Sequence, residues 1–463
     1  MRVCLVIEGS YPFITGGVSS WVHQLIEGLP DTEFALFTIS PEPDMPVRYK
    51  LPANVKQHAD VVISRRSTRG RRARGALEAV RRFHASMSTG SLDGLEEMVR
   101  AVRPGTYLYH EAVGAPESWD MIAEANLRHN PAYPFADYFW AWKSGHDMIF
   151  TVLGAEMPEA DLYHAVSTGY AGLAAAAAKI RTGRPVVLTE HGLYHKEREM
   201  EIRRATFVRG YQRDMWIGIY NRLSQITYRA SDLIISLFEH NRQLQIALGA
   251  PEAKCVVIPN GIDVEQFSGL RTGDRRPGFH VGLIGRVVPI KDIKTFISMA
   301  RVVADAVPDA EFHCVGPTDE DPAYYEDCRL LVESLKLADR FHFTGRADVR
   351  KYYSFLDVVL LTSVREAQPL VILEAYCAGI PVVSTRVGNV PELLDYDDRF
   401  LAPSRDPEGL AAGVRFIHDH PQEMQEIVHR NRERVLAFYD RRQLHERYRG
   451  IYGELTGHGG DRV

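Results

Sequence analysis

Twice along this chain, short runs apolar at every residue alternate with segments whose apolar residues recur at helical spacing. That rhythm constrains the fold more than any other feature. Val3 to Ile7 is followed by Val18, Trp21, Val22, Leu25, Ile26 and Leu29 on one helical face, the pattern of a βα unit. Further strands are predicted at Phe34 to Ile39, Leu162 to Val166, Val186 to Thr189, Leu233 to Leu237 and Val256 to Ile258. Runs without polar alternation suit parallel strands covered on both faces. The rhythm restarts after residues 266–278, a stretch rich in Gly, Arg and Asp that reads as an interdomain linker. It continues at Val281 to Ile284, Glu311 to Val315, Phe341 to Phe343, Val358 to Leu361 and Pro381 to Ser384.

The expected fold class is α/β, with two Rossmann-like doubly wound parallel-sheet domains facing a cleft. The first spans 1–265 with an insertion at about 65–153, and the second spans 279–435. A C-terminal helix over 436–463 carries Leu444, Tyr448, Ile451 and Tyr452 on one face and is expected to cross back to the first domain. The insertion holds an Arg-rich stretch (Arg65, Arg66, Arg69, Arg71, Arg72, Arg74) and then an aromatic one (Trp119, Tyr133, Phe135, Tyr138, Phe139, Trp140, Trp142).

Composition narrows the class further. The 463 residues are 45% hydrophobic and 25% charged, which excludes disordered, collagenous and disulfide-scaffold chains. The formal net charge of -5 leaves no whole-chain basic field for nucleic acid. Five scattered cysteines (Cys4, Cys255, Cys314, Cys328, Cys377) read as reduced thiols of a cytosolic protein. No segment reaches the ~18 apolar residues of a membrane span, and the first apolar run is too short for a leader.

Helix N-termini at the carboxyl edges of two such sheets suit phosphate oxygens, so a nucleotide-containing ligand is expected. The G-x-G-x-x-G fingerprint and the P-loop Gly-Lys pair are both absent, which removes dehydrogenase and P-loop readings. After the first strand, Glu8 opens a loop that ends in Gly16 and Gly17 before a helix. After the first strand of the second half, Gly285-Arg286 and Lys291-Asp292 set two cations ahead of a helix. Later, Glu366 ends a strand loop and Glu374 lies inside a helix beginning near Pro369, where the amides of Leu370 and Val371 can hold a diphosphate.

With these stretches the sequence resembles the retaining glycosyltransferases of family 4, whose E-x7-E motif is matched by Glu366 and Glu374. It is similar in particular to the PelF subgroup of Pel exopolysaccharide synthesis, through the segment from Val3 to Pro12, the Gly16 to Val22 segment, Thr189 to Tyr194, and Val315 to Pro322. The resemblance implies a GT-B fold and transfer of a hexose, with retention, from a UDP-linked donor to a growing polysaccharide. It implies that Arg286 and Lys291 neutralise the donor diphosphate, Glu366 positions the donor sugar, Glu374 holds the ribose, His191 stands beside the sugar, and Gly16 and Gly17 line the phosphate side. It also implies an inner-membrane synthesis and export complex as partner, so that the protein works at the inner face of the cytoplasmic membrane, with no nucleic acid and no cofactor beyond the nucleotide-sugar substrate. One departure is Ala367, where the subgroup carries Gly.

Other readings stand beside this one. A nucleotide-sugar epimerase on the same fold would need acid and base groups at the sugar but no acceptor channel, and a nucleotide-sugar-binding regulatory subunit would lack turnover. His191 and His195 have a spacing that could hold a metal on a helix, yet they follow a strand in a loop. Asp319-Glu320-Asp321 fits D-x-D, but it precedes a helix, where acids serve capping. The expectation is therefore a metal-independent transferase. Ser167-Thr168-Gly169 lacks the first glycine of G-x-S-x-G and is expected to line the acceptor side.

Overall fold

The run Val3 to Ile7 forms β1 (Arg2–Glu8), and all five of its apolar side chains are fully buried, as a strand covered on both faces requires. The computed structural model describes residues 1–63, 71–72, 76–87, 92–107, 115–129, 134–206, 208, 210–270 and 276–457. The chain divides into two compact units, Met1–Ile258 with His445–Val463, and Pro259–Leu444.

The first unit is built on β1, β2 (Glu33–Ser40), β3 (Val55–Val62), β6 (Leu162–Ala165), β7 (Val186–Glu190), β8 (Leu233–Ser236) and β9 (Cys255–Val257). These form one parallel sheet in the order β3-β2-β1-β6-β7-β8-β9. The order reverses between β1 and β6, which is where a doubly wound sheet opens its ligand crevice. Between β3 and β6 lie a small parallel pair, β4 (Arg71–Arg72) with β5 (Thr106–Tyr107), and the helices Leu77–Met87, Asp93–Ala101, Pro116–His129 and Phe135–Leu153. Their Val80, Phe83, Leu95, Met98, Ile122, Trp142 and Ile149 share one hydrophobic core with side chains of β1 and β6. The insertion therefore covers the sheet and is not a separate body. Of its aromatic residues, Trp142 stacks on the His146 ring at 3.9 Å and is buried, while Trp119 and Trp140 are exposed. Arg65, Arg66, Arg69, Arg74 and Tyr133 lie outside the described residues.

The second unit carries β10 (Phe279–Ile284), β11 (Ala310–Val315), β12 (Phe341–Gly345), β13 (Val358–Leu361), β14 (Val382–Thr385) and β15 (Leu401–Ala402), all parallel, in the order β12-β11-β10-β13-β14-β15. Here the order reverses between β10 and β13. The stretch expected as a linker over 266–278 begins inside the short helix Val264–Phe267. Ile262, Val264 and Phe267 of that segment are buried in the core of the second unit, so these apolar side chains draw the division back to residues 258 and 259. Residues 271–275 lie outside the described residues.

The expected C-terminal helix is two helices, Pro421–Phe438 and Arg441–Thr456. In the latter, Tyr448 and Tyr452 are fully buried within the first unit. His164 Nδ1 and the Tyr452 hydroxyl are 2.6 Å apart, His164 Nε2 and Thr189 Oγ1 are 2.8 Å apart, and Thr189 Oγ1 and the Tyr448 hydroxyl are 2.8 Å apart. All five cysteines are free and buried. No helix among the described residues is long and apolar enough to cross a membrane.

Burial holds His146 and His164 down at about 3 and His191, His195 and His313 at about 4. A histidine whose folded pKa is depressed stabilises fully above the unfolded value, near 6.5, and loses that contribution as pH falls toward the folded value. Stability is thus expected to fall from pH 6.5 to pH 4 by up to ~1.4 kcal/mol per pH unit for each of these groups. Urea unfolding at pH 7, 6 and 5 checks this, and a flat profile over that range would contradict it.

Candidate active site

In the second unit, the loop after β10 and the loop after β13 meet at the point where strand order reverses. A backbone and a side-chain bond lace the two together, since Val364 N donates to the Ile290 carbonyl at 2.9 Å and Thr362 Oγ1 donates to the Lys291 carbonyl at 2.7 Å. Lys291 Nζ donates to Glu366 Oε1, which also accepts from Ser363 Oγ at 2.7 Å, and the ion pair is largely buried. Two glycines allow this crowding. Gly388, at φ +53, lies against the Glu366 carbonyl where a Cβ would collide, and the next amide, Asn389 N, donates to the Ala367 carbonyl at 3.1 Å. A Cβ at Gly316 would strike the Gly285 carbonyl.

Arg286 sits in the same loop as Lys291, is half exposed, and pairs with Glu320 at 2.7 Å. The neighbouring acids of the D-x-D stretch are also engaged. Asp321 Oδ1 caps the helix Pro322–Ser334 by accepting from Tyr324 N at 3.0 Å, and Asp319 lies 3.4 Å from Arg346. Pro369 precedes the helix Leu370–Cys377, whose first amides, those of Leu370 and Val371, have no partner within a helix by geometry. Glu374 Oε2 accepts from the hydroxyl of fully buried Tyr353 at 2.8 Å, and burial raises the pKa of the glutamate. The second unit therefore brings Arg286, Lys291, Glu366, Pro369, Leu370, Val371 and Glu374 onto two adjoining loops and one helix.

The first unit holds Gly16, Gly17 and His191. Gly17 begins the helix Gly17–Gly28, and a Cβ at either glycine would meet no atom within 4 Å. Packing inside the unit does not demand glycine there. His191 follows β7 and is only 8% exposed, with its ring edge-on to Trp21 at 4.5 Å. Its Nε2 is buried without a hydrogen-bond partner among the described residues. The residue before it, Glu190, is buried and accepts from Tyr194 N at 3.1 Å, Thr168 Oγ1 at 3.2 Å, the Tyr228 hydroxyl at 2.8 Å and Gln245 Nε2 at 2.8 Å. Burial raises its pKa against these four donors. Glu190 thereby fixes the turn that presents His191. His195 is the second residue of the helix Tyr194–Arg204 and is buried, and no cluster of three or more metal-ligating groups occurs among the described residues.

At the carboxyl edge of the same sheet is a cavity of about 470 Å³, bordered by Glu8, Ser167, His191, Tyr194, Arg198 and Tyr220, among others. Ser167, expected to line the acceptor side, borders this cavity. Glu8, Glu190, Tyr194 and Arg198 were not singled out as site residues. Glu8 and Glu190 each close a buried strand with a carboxylate, the signal that could have found those two.

Comparison with known proteins agrees with this architecture. Sucrose-phosphate synthase from Thermosynechococcus elongatus superimposes with a TM-score of 0.62 at 18% identity, covering 99% of this chain and 100% of that one. HepE from Anabaena, solved with UDP, gives 0.62 at 16% identity over 98% and 100%. In sequence, D-inositol 3-phosphate glycosyltransferase from Thermomonospora curvata is 26% identical over 349 residues, 70% of this chain and 78% of the relative. The sulfoquinovosyl transferase SQD2 of Arabidopsis thaliana is 27% identical over 300 residues, 60% of this chain and 54% of the relative. Residues 278–420 match the family described as glycosyl transferases group 1. The two parallel-sheet units and this match define a group 1 glycosyltransferase of the GT-B fold. The chain belongs to the family described as domain of unknown function DUF3492, whose match covers residues 1–253.

Proposed function

We propose that this chain is a retaining, metal-independent hexosyltransferase that takes a UDP-linked sugar and extends an exopolysaccharide, as the PelF resemblance implies. The observation that carries the reading is the laced pair of loops in the second unit, where Arg286, Lys291, Glu366 and the N-terminus of the helix Leu370–Cys377 converge at the reversal of strand order. In this reading Arg286 and Lys291 exchange their carboxylate partners for the donor diphosphate, the amides of Leu370 and Val371 take further oxygens, and Glu374 reaches the ribose while Tyr353 holds it. Glu366 accepts hydrogen bonds from the donor sugar, and His191 of the first unit supplies a neutral imidazole, the role the resemblance gives it. Departure of the diphosphate is the hard step, so the main contribution is preorganised positive charge on the leaving group. The leaving phosphate helps accept the acceptor's proton in a front-face attack.

The relatives support a nucleotide-sugar donor: HepE was solved with UDP and with UDP-glucose, and the Thermomonospora relative is named for a sugar-transfer activity. Engagement of Asp319, Glu320 and Asp321 by Arg346, Arg286 and a helix cap supports metal independence. Thermal unfolding in the presence of UDP-, GDP- and ADP-sugars tests the donor. A UDP-sugar at 100-fold over Kd is expected to stabilise by ~2.7 kcal/mol, and the shift and turnover should persist in excess EDTA. No shift with any nucleotide sugar, or activity restored only by manganese, would overturn the respective part.

A further inference from the structure

Glu366 takes both of its hydrogen bonds on one oxygen. Lys291 Nζ and Ser363 Oγ each donate to Oε1, the latter at 2.7 Å, and no described residue donates to Oε2. The two donors differ in what holds them. Lys291 reaches Oε1 at the end of a flexible four-carbon stem with 20% of its side chain exposed. Ser363 is fully buried and lies three residues before Glu366 on the same loop. Its backbone is pinned on both sides: the Ser363 carbonyl accepts from Thr385 Oγ1 of β14 at 2.6 Å, and the next amide, Val364 N, donates to the Ile290 carbonyl at 2.9 Å. The Ser363 hydroxyl thus starts from a fixed position, and its one bond among the described residues is to Glu366. This difference acts when a donor arrives. In the reading above, Lys291 leaves Glu366 for the diphosphate, and a glutamate carboxylate without a partner turns easily because its terminal torsion is broad. Ser363 has no second task and remains on Oε1, leaving Oε2 as the oxygen open to a sugar hydroxyl.

We infer that Ser363 is the positioning residue of Glu366: once Lys291 has turned to the diphosphate, the Ser363 hydroxyl alone keeps the carboxylate aimed, so that Oε2 meets a hydroxyl of the donor sugar. The inference rests on the transferase reading above and deepens its account of how the donor sugar is held. Removing the hydroxyl leaves the loop its other supports. Asn389 N donates to the Ala367 carbonyl at 3.1 Å, and buried Gln368 accepts from Asn260 N on its Oε1 at 2.8 Å.

The test compares the full chain with Ser363→Ala in UDP affinity by calorimetry, and in KM and kcat for a UDP-sugar that the parent turns over. UDP carries no sugar for Glu366 to hold, so its Kd should stay within about twofold of the parent's. The kcat should fall about 10- to 100-fold with KM changed less than about threefold, since a misplacement of about 1 Å at the reacting centre costs up to ~100-fold. A hydroxyl that merely supported the fold would weaken UDP binding along with turnover. If Ser363→Ala does not fold, Ser363→Cys, close in shape but only a weak donor, should show the same split by a smaller factor. A smaller loss of kcat in Ser363→Ala, a loss that falls in KM instead, a UDP affinity that drops with kcat, or a parental kcat in Ser363→Cys where that variant replaces it would each overturn the inference. Should the parent bind UDP-sugars but turn over none, or bind none, the transferase reading falls, and the inference with it.

Discussion

Replacing Arg286 or Lys291 by Ala is expected to lower kcat/KM for donor turnover roughly 30- to 900-fold, the equivalent of ~2–4 kcal/mol of lost transition-state stabilisation. The two variants should differ in a second respect. Arg286 is half exposed and its pair with Glu320 contributes at most ~1 kcal/mol to the fold, so Arg286→Ala should melt close to the parent. Lys291 is largely buried on Glu366, and its removal leaves a carboxylate held only by Ser363, so Lys291→Ala should also lose stability. Steady-state kinetics with denaturant unfolding separates the two losses. Turnover within threefold of the parent in both variants would remove the diphosphate role from this pair of cations.

The other large effect concerns Glu190. Ala in its place strands the Tyr194 amide, the Tyr228 hydroxyl and Gln245 Nε2 in a buried site, while Thr168 Oγ1 keeps Ser224 Oγ, and this should cost ~3–5 kcal/mol of stability. Gln keeps an oxygen acceptor and an isosteric shape, and should cost roughly half of that or less. The comparison by urea unfolding is informative because burial raises the Glu190 pKa while its four donors lower it, so Gln separates the loss of charge from the loss of the acceptor. A loss below about 1 kcal/mol in Glu190→Ala would show that the turn carrying His191 is held by packing alone.

How far the sequence could be read follows from where the physical signal lies. Val281 to Ile284 and Val358 to Leu361 are apolar at every residue because both faces are covered, and the structure has strands at both places. β3 was not predicted, since Val55–Val62 is an edge strand whose Lys56, Gln57 and His58 face water and break the run. The insertion read as a break in rhythm because its helices are amphipathic and add no central strand, although Phe83 and Met98 bury in the common core. In the second unit, the motif residues were legible because each of two adjoining loops carries its own short cluster, Arg286 with Lys291 and Glu366 with Glu374. In the first, Glu8 meets Tyr194 and Arg198, one turn apart on a single helix, from two distant stretches through the sheet order, and no local pattern marks that meeting.

The helix Arg441–Thr456 gives the chain an unusual order of completion. The core that receives Tyr448 and Tyr452 is otherwise made by the first 258 residues, yet the His164–Thr189 pair gains its two tyrosine hydroxyls from this late segment. During synthesis, the amino-terminal half must leave the ribosome with that groove open and wait until the entire second unit has been made before it can close. Two buried histidine and threonine side chains stay wet until then, so the half that is translated first is the half that finishes folding last. A nascent chain stopped at residue 258 would accordingly be a client for chaperones, whereas the later half has everything it needs for its core as soon as it emerges.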